Sequence, residues 1–178
     1  NPLYSGNNNQ QNSSLIQAIL NKNIPQENLT LTTYLKKLIK QNEIQEAHEF
    51  LKKIRGAGDK IASLFLRDLT DVMNITLTSQ TQNRHLLQPI DIWVKRTVQL
   101  LTNDQNMADN QIREWIVRES VKFNLNPERV NMGIWFFCSQ IVKSNYRLET
   151  IIKEKGLNYA QTLINSFRDS VRKLCKNC

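Results

Sequence analysis

The sequence LKKIRGAGDKIASLFLRDL, residues 51–69, contains a glycine turn between two segments of helical apolar spacing. Apolar residues recur every three or four positions before the turn, at Ile44, Ala47, Leu51 and Ile54. The same spacing follows the turn at Ile61, Phe65, Leu69 and Val72. Glycine often ends a helix because it adopts left-handed backbone angles at little cost, so Gly56 is predicted to cap the first helix. The stretch predicts a helical hairpin over about residues 43–73, with Lys60 in the first turn of its second helix.

A turn of this kind can bind phosphate. The backbone N–H groups that open a helix have no partner within it, and the helix dipole attracts anions to them. Glycine also lets a nucleic-acid backbone approach closely. Together with nearby basic side chains, including Lys52, the turn predicts these DNA contacts: Lys53, Arg55, Gly56, Ala57 and Gly58. The alternative is a corner that needs glycine for its geometry alone.

Apolar residues keep helical spacing along most of the chain, so we predict an all-α fold of seven to nine helices. Residues 1–13 are polar and are predicted to form a loose tail, with a helical domain over residues 14–178. A first helix is expected at about residues 14–22, before Pro25. Residues 74–88 are rich in Asn, Thr and Gln and predict a long loop.

Cap residues and apolar faces locate several helices. Thr30 or Thr32 is predicted to cap a helix, as is Asn126, with Pro127 at the first helical position. Its inward residues place the first of these helices at Leu35, Leu38 and Ile39. Later inner faces are expected at Val94, Val98 and Leu101; at Ile112, Trp115 and Ile116; and, in a last helix over residues 157–174, at Leu163, Phe167, Val171 and Leu174.

The composition favours a polyanionic partner. The chain has 178 residues, with 24 Lys and Arg against 16 Asp and Glu, a net charge of +8 and a sequence pI of about 9.5. Such an excess is typical of nucleic-acid binding, although a lysine-rich surface is the alternative. No apolar run approaches the roughly 20 residues of a membrane span, and no leader pattern is visible, so we expect an intracellular protein without a membrane partner.

Cysteine and histidine usage predicts neither a metal nor another cofactor. Cys138 lies in an apolar run and is predicted to be a small buried residue. Cys175 and Cys178 form a C-x-x-C at the end of the chain, which could pair or bind metal but is better explained as a frayed tail. His48 and His85 are scattered and complete no zinc or iron–sulfur pattern.

The hairpin segment IRGAGDKIA, residues 54–62, resembles the helix-hairpin-helix of the base-excision DNA glycosylases, the superfamily of endonuclease III and the 8-oxoguanine glycosylases. A second segment, QPIDIWVKR at residues 88–96, resembles the family's apolar-Asp-x-His-apolar-x-Arg segment. Asp91 stands at the aspartate of this pattern and Arg96 at the arginine. The resemblance implies that Lys60 is the nucleophile, that Asp91 is its catalytic partner, and that Arg96 contacts DNA. Asp91 is expected at a helix N-terminus after Pro89, where the alternative is a simple N-cap residue. The alternative for Arg96 is an ion pair with a carboxylate.

Some features depart from the family pattern, and others favour one branch of the family. Trp93 stands where many members have histidine, and Arg55 stands where many have proline. The long segment between Lys60 and Asp91 is closer to the archaeal 8-oxoguanine branch. Too few residues precede the hairpin for the family's N-terminal half, so we expect a truncated chain or a reduced architecture. The four-cysteine cluster pattern of endonuclease III is missing.

The function implied is that of a bifunctional DNA glycosylase and abasic-site lyase of base-excision repair. It would act as a monomer, without a cofactor, on double-stranded DNA that contains a damaged base, with 8-oxoguanine favoured. Resemblance to the archaeal branch suggests Trp135 as a stacking platform for the flipped base and Asn131 as a hydrogen-bonding partner, with Trp93 a similar candidate. An aromatic side chain on an apolar helix is otherwise expected in the core.

Three alternatives remain open. A glycosylase of the same superfamily could prefer oxidised pyrimidines. A non-catalytic helix-hairpin-helix module would use Lys60 only as a phosphate contact. An all-α protein–protein module is the third, and the basic charge and the paired motifs count against it.

Overall fold

The computed structural model describes the backbone of residues 29–175 and their side chains, except at 155, 157 and 170–175. This part of the chain contains eight α-helices and no strand, which confirms the all-α prediction. None of its helices is both long and apolar enough to cross a bilayer. The predicted tail at residues 1–13 and the predicted helix at 14–22 lie outside the described residues. The chain divides into two compact units, Asn1–Pro89 and Ile90–Cys178.

The described part of unit 1 (Asn1–Pro89), residues 29–89, contains three α-helices and one 3₁₀ helix. Their bounds are α1 Leu31–Lys40, α2 Ile44–Lys52, α3 Asp59–Val72 and a 3₁₀ turn at Arg84–Leu87. The Oγ1 atom of Thr30 accepts a hydrogen bond from the backbone N–H of Thr33 at 3.2 Å, so Thr30 caps α1 as predicted. The inward residues predicted for α1 are all buried: Leu35, Leu38 and Ile39. They join a core built from all four elements.

In unit 2 (Ile90–Cys178), the described residues 90–175 form five α-helices and two π-helical turns. Their bounds are α4 Ile92–Thr102, α5 Asp109–Lys122, α6 Pro127–Phe136, a π turn at Phe137–Val142, α7 Asn145–Thr150, a π turn at Ile151–Lys155 and α8 Gly156–Cys175. Asn126 caps α6, with Pro127 at its first position, as predicted. One apolar cluster centres on Val94, Ile112 and Ile116, and a second on Cys138 and Val142.

One prediction about the hairpin is wrong and another is confirmed only in part. Helix α2 ends at Lys52 rather than at Gly56, although Gly56 does have a left-handed backbone with φ +89° in the turn that follows. Of the inner face predicted for α3, Leu69 is buried and Phe65 packs against the core, but Ile61 is 38% and Val72 74% exposed. Ala62 and Leu66 are the fully buried apolar residues of this helix. Helix α3 has apolar residues on two adjacent faces, and spacing alone does not reveal which one meets the core.

Similar single-position differences occur elsewhere. Leu100 rather than Leu101 is buried in α4. The predicted loop at 74–88 contains the 3₁₀ turn, whose Leu87 is fully buried. In α8, Leu163 packs against the second cluster of unit 2, and the ring of Phe167 lies edge-on to that of Phe136. The remaining two predicted inward residues of α8, Val171 and Leu174, have side chains outside the described set.

Candidate functional site

The turn between α2 and α3 is closed by its own backbone. Past Lys53, the C-cap residue of α2, the chain makes two further backbone hydrogen bonds before α3 begins, from Ile54 N–H to the Leu51 carbonyl and from Ala57 N–H to the Ile54 carbonyl, each 2.9 Å. Ile54 and Ala57 are buried beneath the turn, which anchors it to the core. The turn therefore has a fixed shape. Residues 53–60 are called the hairpin tip below.

The two glycines of the hairpin tip have different backbone conformations. Gly56 has φ +89°, which side-chain-bearing residues rarely adopt. Gly58 is the N-cap residue of α3, with ordinary extended angles of φ −71° and ψ 179°. A Cβ atom at Gly58 would meet no atom of the chain within 4 Å. The missing side chain at Gly58 thus leaves open space in front of the start of α3.

The start of α3 is suited to an anion. Gly58 has no side chain to cap the helix, so the N–H groups of its first turn lack the side-chain acceptor found at most N-termini. Asp59 is the first residue of α3, but its carboxylate lies toward α2, where Oδ1 is 3.6 Å from Nε2 of His48 and 4.0 Å from Nζ of Lys52. Lys60 follows in this first turn and is exposed, as its position in the sequence predicted.

Three cations of the hairpin tip are available to a ligand. Lys53, Arg55 and Lys60 are exposed, and within the part of the chain that the structure describes no carboxylate forms an ion pair with any of them. Lys52 differs, because its ammonium contacts Glu49 at 3.1 Å. The surface around the start of α3 therefore combines backbone donors with positive side chains that are not neutralised within the described chain.

A buried polar link joins the two helices of the hairpin. Nε2 of His48 in α2 lies 3.2 Å from Oγ of Ser63 in α3, and both side chains are almost completely buried. His48 had been predicted only as a scattered histidine. Its position beside Ala47 and Leu51 on the apolar stripe is the sequence feature from which its burial could have been predicted. The link fixes α3 against α2, and so orients the first turn of α3.

The second motif begins α4 in unit 2. Asp91 is the N-cap residue, and its Oδ1 accepts a hydrogen bond from the N–H of Val94 at 2.8 Å. The carboxylate is partly exposed. This is the arrangement predicted for a carboxylate at a helix start, where the dipole and the free N–H groups favour negative charge. Lys60 belongs to unit 1 and Asp91 to unit 2.

Arg96 lies one turn further along α4. Its guanidinium is 3.5 Å from Oε2 of Glu149, and both side chains are more than a third exposed. Glu149 also contacts Lys153 at 2.8 Å. The hydrogen bond and charge of Lys153, with a smaller contribution from Arg96, lower the pKa of the Glu149 carboxyl. Arg96 was expected to contact either a phosphate or a carboxylate, and in the structure it contacts the carboxylate of Glu149.

The base-pocket candidates differ in accessibility. Trp93 is half-buried against the second apolar cluster of unit 2. Asn131 is fully buried in α6, and Trp135, one turn later, is 41% exposed. Among these side chains Trp135 presents the most accessible aromatic face, whereas the Asn131 amide is enclosed. Cys138 is buried as predicted, and its Sγ lies 3.3 Å from Oγ1 of Thr97.

Metal ligands do not converge in the described residues: no group of three or more His, Cys, Asp or Glu side chains there could hold an ion. The pair His48 and Asp59 is accompanied by Ser63 and Lys52, which supply a hydroxyl and a cation rather than further ligands.

Comparisons with known proteins give one distant relative to report. No protein-family model matches the chain, and no solved structure matches it. The chain is 29% identical to an uncharacterised protein of Methanocaldococcus jannaschii, MJECL21, in a match that covers 64% of this chain and 35% of that protein. The chain thus spans about a third of the length of this relative.

Proposed function

We propose that this chain is a DNA glycosylase and abasic-site lyase in which Lys60 is the nucleophile. The observation that carries the proposal is the position of Lys60 in the uncapped first turn of α3, directly after the turn formed by Gly56 and Gly58. Backbone N–H groups and the unneutralised charges of Lys53 and Arg55 surround that position. These features suit a DNA phosphate next to a lysine amine.

The proposed reaction requires a nucleotide that is flipped out of the duplex, because C1′ is shielded within the stacked helix. A neutral Lys60 amine attacks C1′, so the Nζ–C1′ bond forms as the glycosidic bond breaks and the base departs. Opening of the sugar then gives a protonated Schiff base. Loss of a C2′ proton expels the 3′ phosphate and nicks the strand. Lys60 is exposed in the structure, so bound DNA would have to supply the desolvation that favours the neutral amine.

Asp91 is proposed to stabilise positive charge on the sugar during this reaction. Its N-cap position supports that role, since the hydrogen bond from the N–H of Val94 holds the carboxylate in a fixed place at the start of α4. Its partial exposure leaves the carboxylate accessible to a substrate. The proposal requires Asp91 to reach the same sugar as Lys60 in the complex with DNA.

The favoured substrate is 8-oxoguanine, on the basis of resemblance to the archaeal branch, with oxidised pyrimidines as the alternative within the same chemistry. The exposed Trp135 is the proposed platform for the flipped base, because every base can stack on an aromatic face. Arg96 is proposed to exchange its contact with Glu149 for a phosphate, a change that the exposure of both groups permits.

Borohydride trapping tests the proposal. The reagent reduces the Schiff base to a stable amine and leaves the protein attached to DNA. Wild type and Lys60→Gln would be incubated with duplexes that carry 8-oxoguanine, thymine glycol, an abasic site or no lesion. The matched control is Lys40→Gln, which removes an exposed charge from the same unit but outside the hairpin tip. We expect adducts on a damaged duplex with wild type and Lys40→Gln, and none with Lys60→Gln.

A second candidate function is a non-catalytic DNA-binding module. It is favoured by the exposure of Lys60, which a phosphate contact requires and a nucleophile must lose. In that case no duplex gives an adduct, and Lys60→Gln weakens binding and reduces the slope of log K against log salt by about one. If Lys60 is instead the nucleophile, Lys60→Gln should abolish adduct formation while DNA binding is largely kept.

A further inference from the structure

An apolar groove runs along the outer side of α3 in unit 1. Its volume is about 330 Å³, and it is open to solvent. The apolar residues that line it are Ile61, Leu64, Phe65, Leu69, Val72 and Met73. It also has two polar residues, Thr32 and Asp68, of which Asp68 is paired with Arg67 at 2.8 Å. A groove with so few polar groups suits apolar side chains better than a polar small molecule.

This groove explains the unexpected exposure in α3. Ile61, Phe65, Leu69 and Val72 form the stripe whose spacing predicted an inner face. In the structure the core takes Ala62, Leu66 and Leu69, with Phe65 packed against it, and leaves Ile61 and Val72 as the exposed members of this stripe. A helix that is apolar on two adjacent faces is expected to be covered on both. Within the described residues, Val72 remains 74% exposed.

We propose that residues 14–20 of the same chain dock in this groove through Leu15, Ile16, Ile19 and Leu20. These four residues recur with the i, i+4 spacing that places Leu15 beside Ile19 and Ile16 beside Leu20 on one helix face. The rest of the N-terminal region is largely polar. The segment therefore has the one apolar face that the groove requires.

The chain can reach the groove. The described residues begin at Leu29, three positions before Thr32, which itself lines the groove. Residues 21–28 connect the segment to that point, and eight extended residues span up to roughly 28 Å. Helix α3 has 14 residues and is therefore about 21 Å long. The connection suffices for either direction along the groove.

Hydrogen exchange on the full-length chain tests the docking. The informative variant is Val72→Asp, because Val72 is exposed, lines the groove and is far in sequence from the docked segment. The matched control is Ile92→Asp, an apolar residue of unit 2 that is 69% exposed. We expect amides of residues 15–20 to be protected in the wild type and in Ile92→Asp. In Val72→Asp they should exchange at least about tenfold faster.

A reciprocal measurement covers the groove itself. The variant Ile19→Asp should shift the methyl resonances of Ile61 and Val72 and leave those of Ile92 unchanged. The proposal is overturned if residues 15–20 exchange at the rate of an unstructured chain in the wild type, or if Val72→Asp does not accelerate them. It is equally overturned if protection is lost on dilution, since a second copy would then occupy the groove.

Discussion

Gly56 and Gly58 are two residues apart, yet they have different reasons to be glycine. The φ of +89° at Gly56 strains any side-chain-bearing residue, whereas Gly58 has φ −71° and open space where a Cβ would lie. The backbone angles therefore require glycine at Gly56, whereas at Gly58 the protein alone explains only the modest preference for glycine at a helix N-cap. Close approach of a DNA backbone would account for Gly58.

Alanine substitutions separate the two reasons. Gly56→Ala should lower the free energy of unfolding by about 1–3 kcal/mol because of backbone strain. Gly58→Ala should cost at most about 1 kcal/mol, the loss of a favourable N-cap residue, but should weaken DNA binding by introducing a methyl group at the proposed phosphate site. Urea unfolding and fluorescence anisotropy with a duplex measure the two effects. Unchanged affinity in Gly58→Ala would contradict a phosphate site there.

Asp91 combines a structural role with a proposed chemical one, and two substitutions distinguish them. Asparagine caps helices about as well as aspartate, so Asp91→Asn should leave stability nearly unchanged while it removes the carboxylate charge. Asp91→Ala should lose both and destabilise the chain by about 0.5–2 kcal/mol. Thermal unfolding and single-turnover base release would be measured on both variants. If Asp91→Asn keeps the full rate, Asp91 is an N-cap residue only.

At the scale of the elements, the link between α2 and α3 determines how the hairpin tip is presented. His48 and Ser63 are buried, and each satisfies a polar atom of the other across 3.2 Å. Removal of one partner leaves the other without that bond in an apolar interior, which typically costs about 1–3 kcal/mol.

A double-mutant cycle measures this link. We expect Ser63→Ala to lower the free energy of unfolding by about 1–3 kcal/mol and His48→Ala to lower it by more, because a cavity also forms. The double variant should be less destabilised than the sum of the two, by about 0.5–3 kcal/mol. Denaturant unfolding of the four proteins gives the coupling. Additive effects would show that the two side chains do not stabilise the hairpin as a pair.

Helix starts were predicted best where the sequence has a residue that commonly caps a helix. Thr30, Asp91 and Asn126 cap their helices as predicted, because side-chain oxygens at these positions satisfy N–H groups that nothing else in the helix can reach. Apolar spacing was less informative. It located α3 but only part of its inner face, since tertiary packing selects between its two apolar sides. The end of α2 was also misplaced, because Ile54 is buried beyond the last helical turn.

At the scale of the whole molecule, the chain contains one motif in each compact unit: the hairpin tip with Lys60 in unit 1, and the Asp91 cap in unit 2. The sequence could predict each motif because its chemistry is local. It could not predict the burial of Asn131 or the exposure of Trp135, because these depend on which face of α6 packs inward.

Cys138 provides a probe for opening of unit 2. Burial, the dominant cause, raises the pKa of its thiol, and the nearby Asp91 carboxylate adds to this, against a hydrogen bond with Thr97 that lowers it. A thiol in an unfolded chain ionises near pH ~8.5. The folded state thus favours the neutral thiol. Its contribution to stability is complete below the unfolded pKa and is lost as pH rises through the folded pKa.

Alkylation rates check this expectation. In a Cys175→Ser/Cys178→Ser background, Cys138 should react with iodoacetamide at pH 8 at least about a hundredfold more slowly than in denaturant, because reaction requires opening of the unit. Mass spectrometry follows the modification over time. Rapid reaction in the native protein would contradict the burial of Cys138.

The proposal that Lys60 is the nucleophile is best tested by locating the residue that becomes attached to DNA. The adduct trapped with borohydride would be digested with nuclease and trypsin, and the modified peptide sequenced by mass spectrometry. The account predicts a peptide of residues 56–67 that carries the sugar remnant on Lys60, where trypsin then fails to cleave. An adduct on another residue, or no adduct on any damaged duplex, would contradict the assignment of Lys60 as the nucleophile.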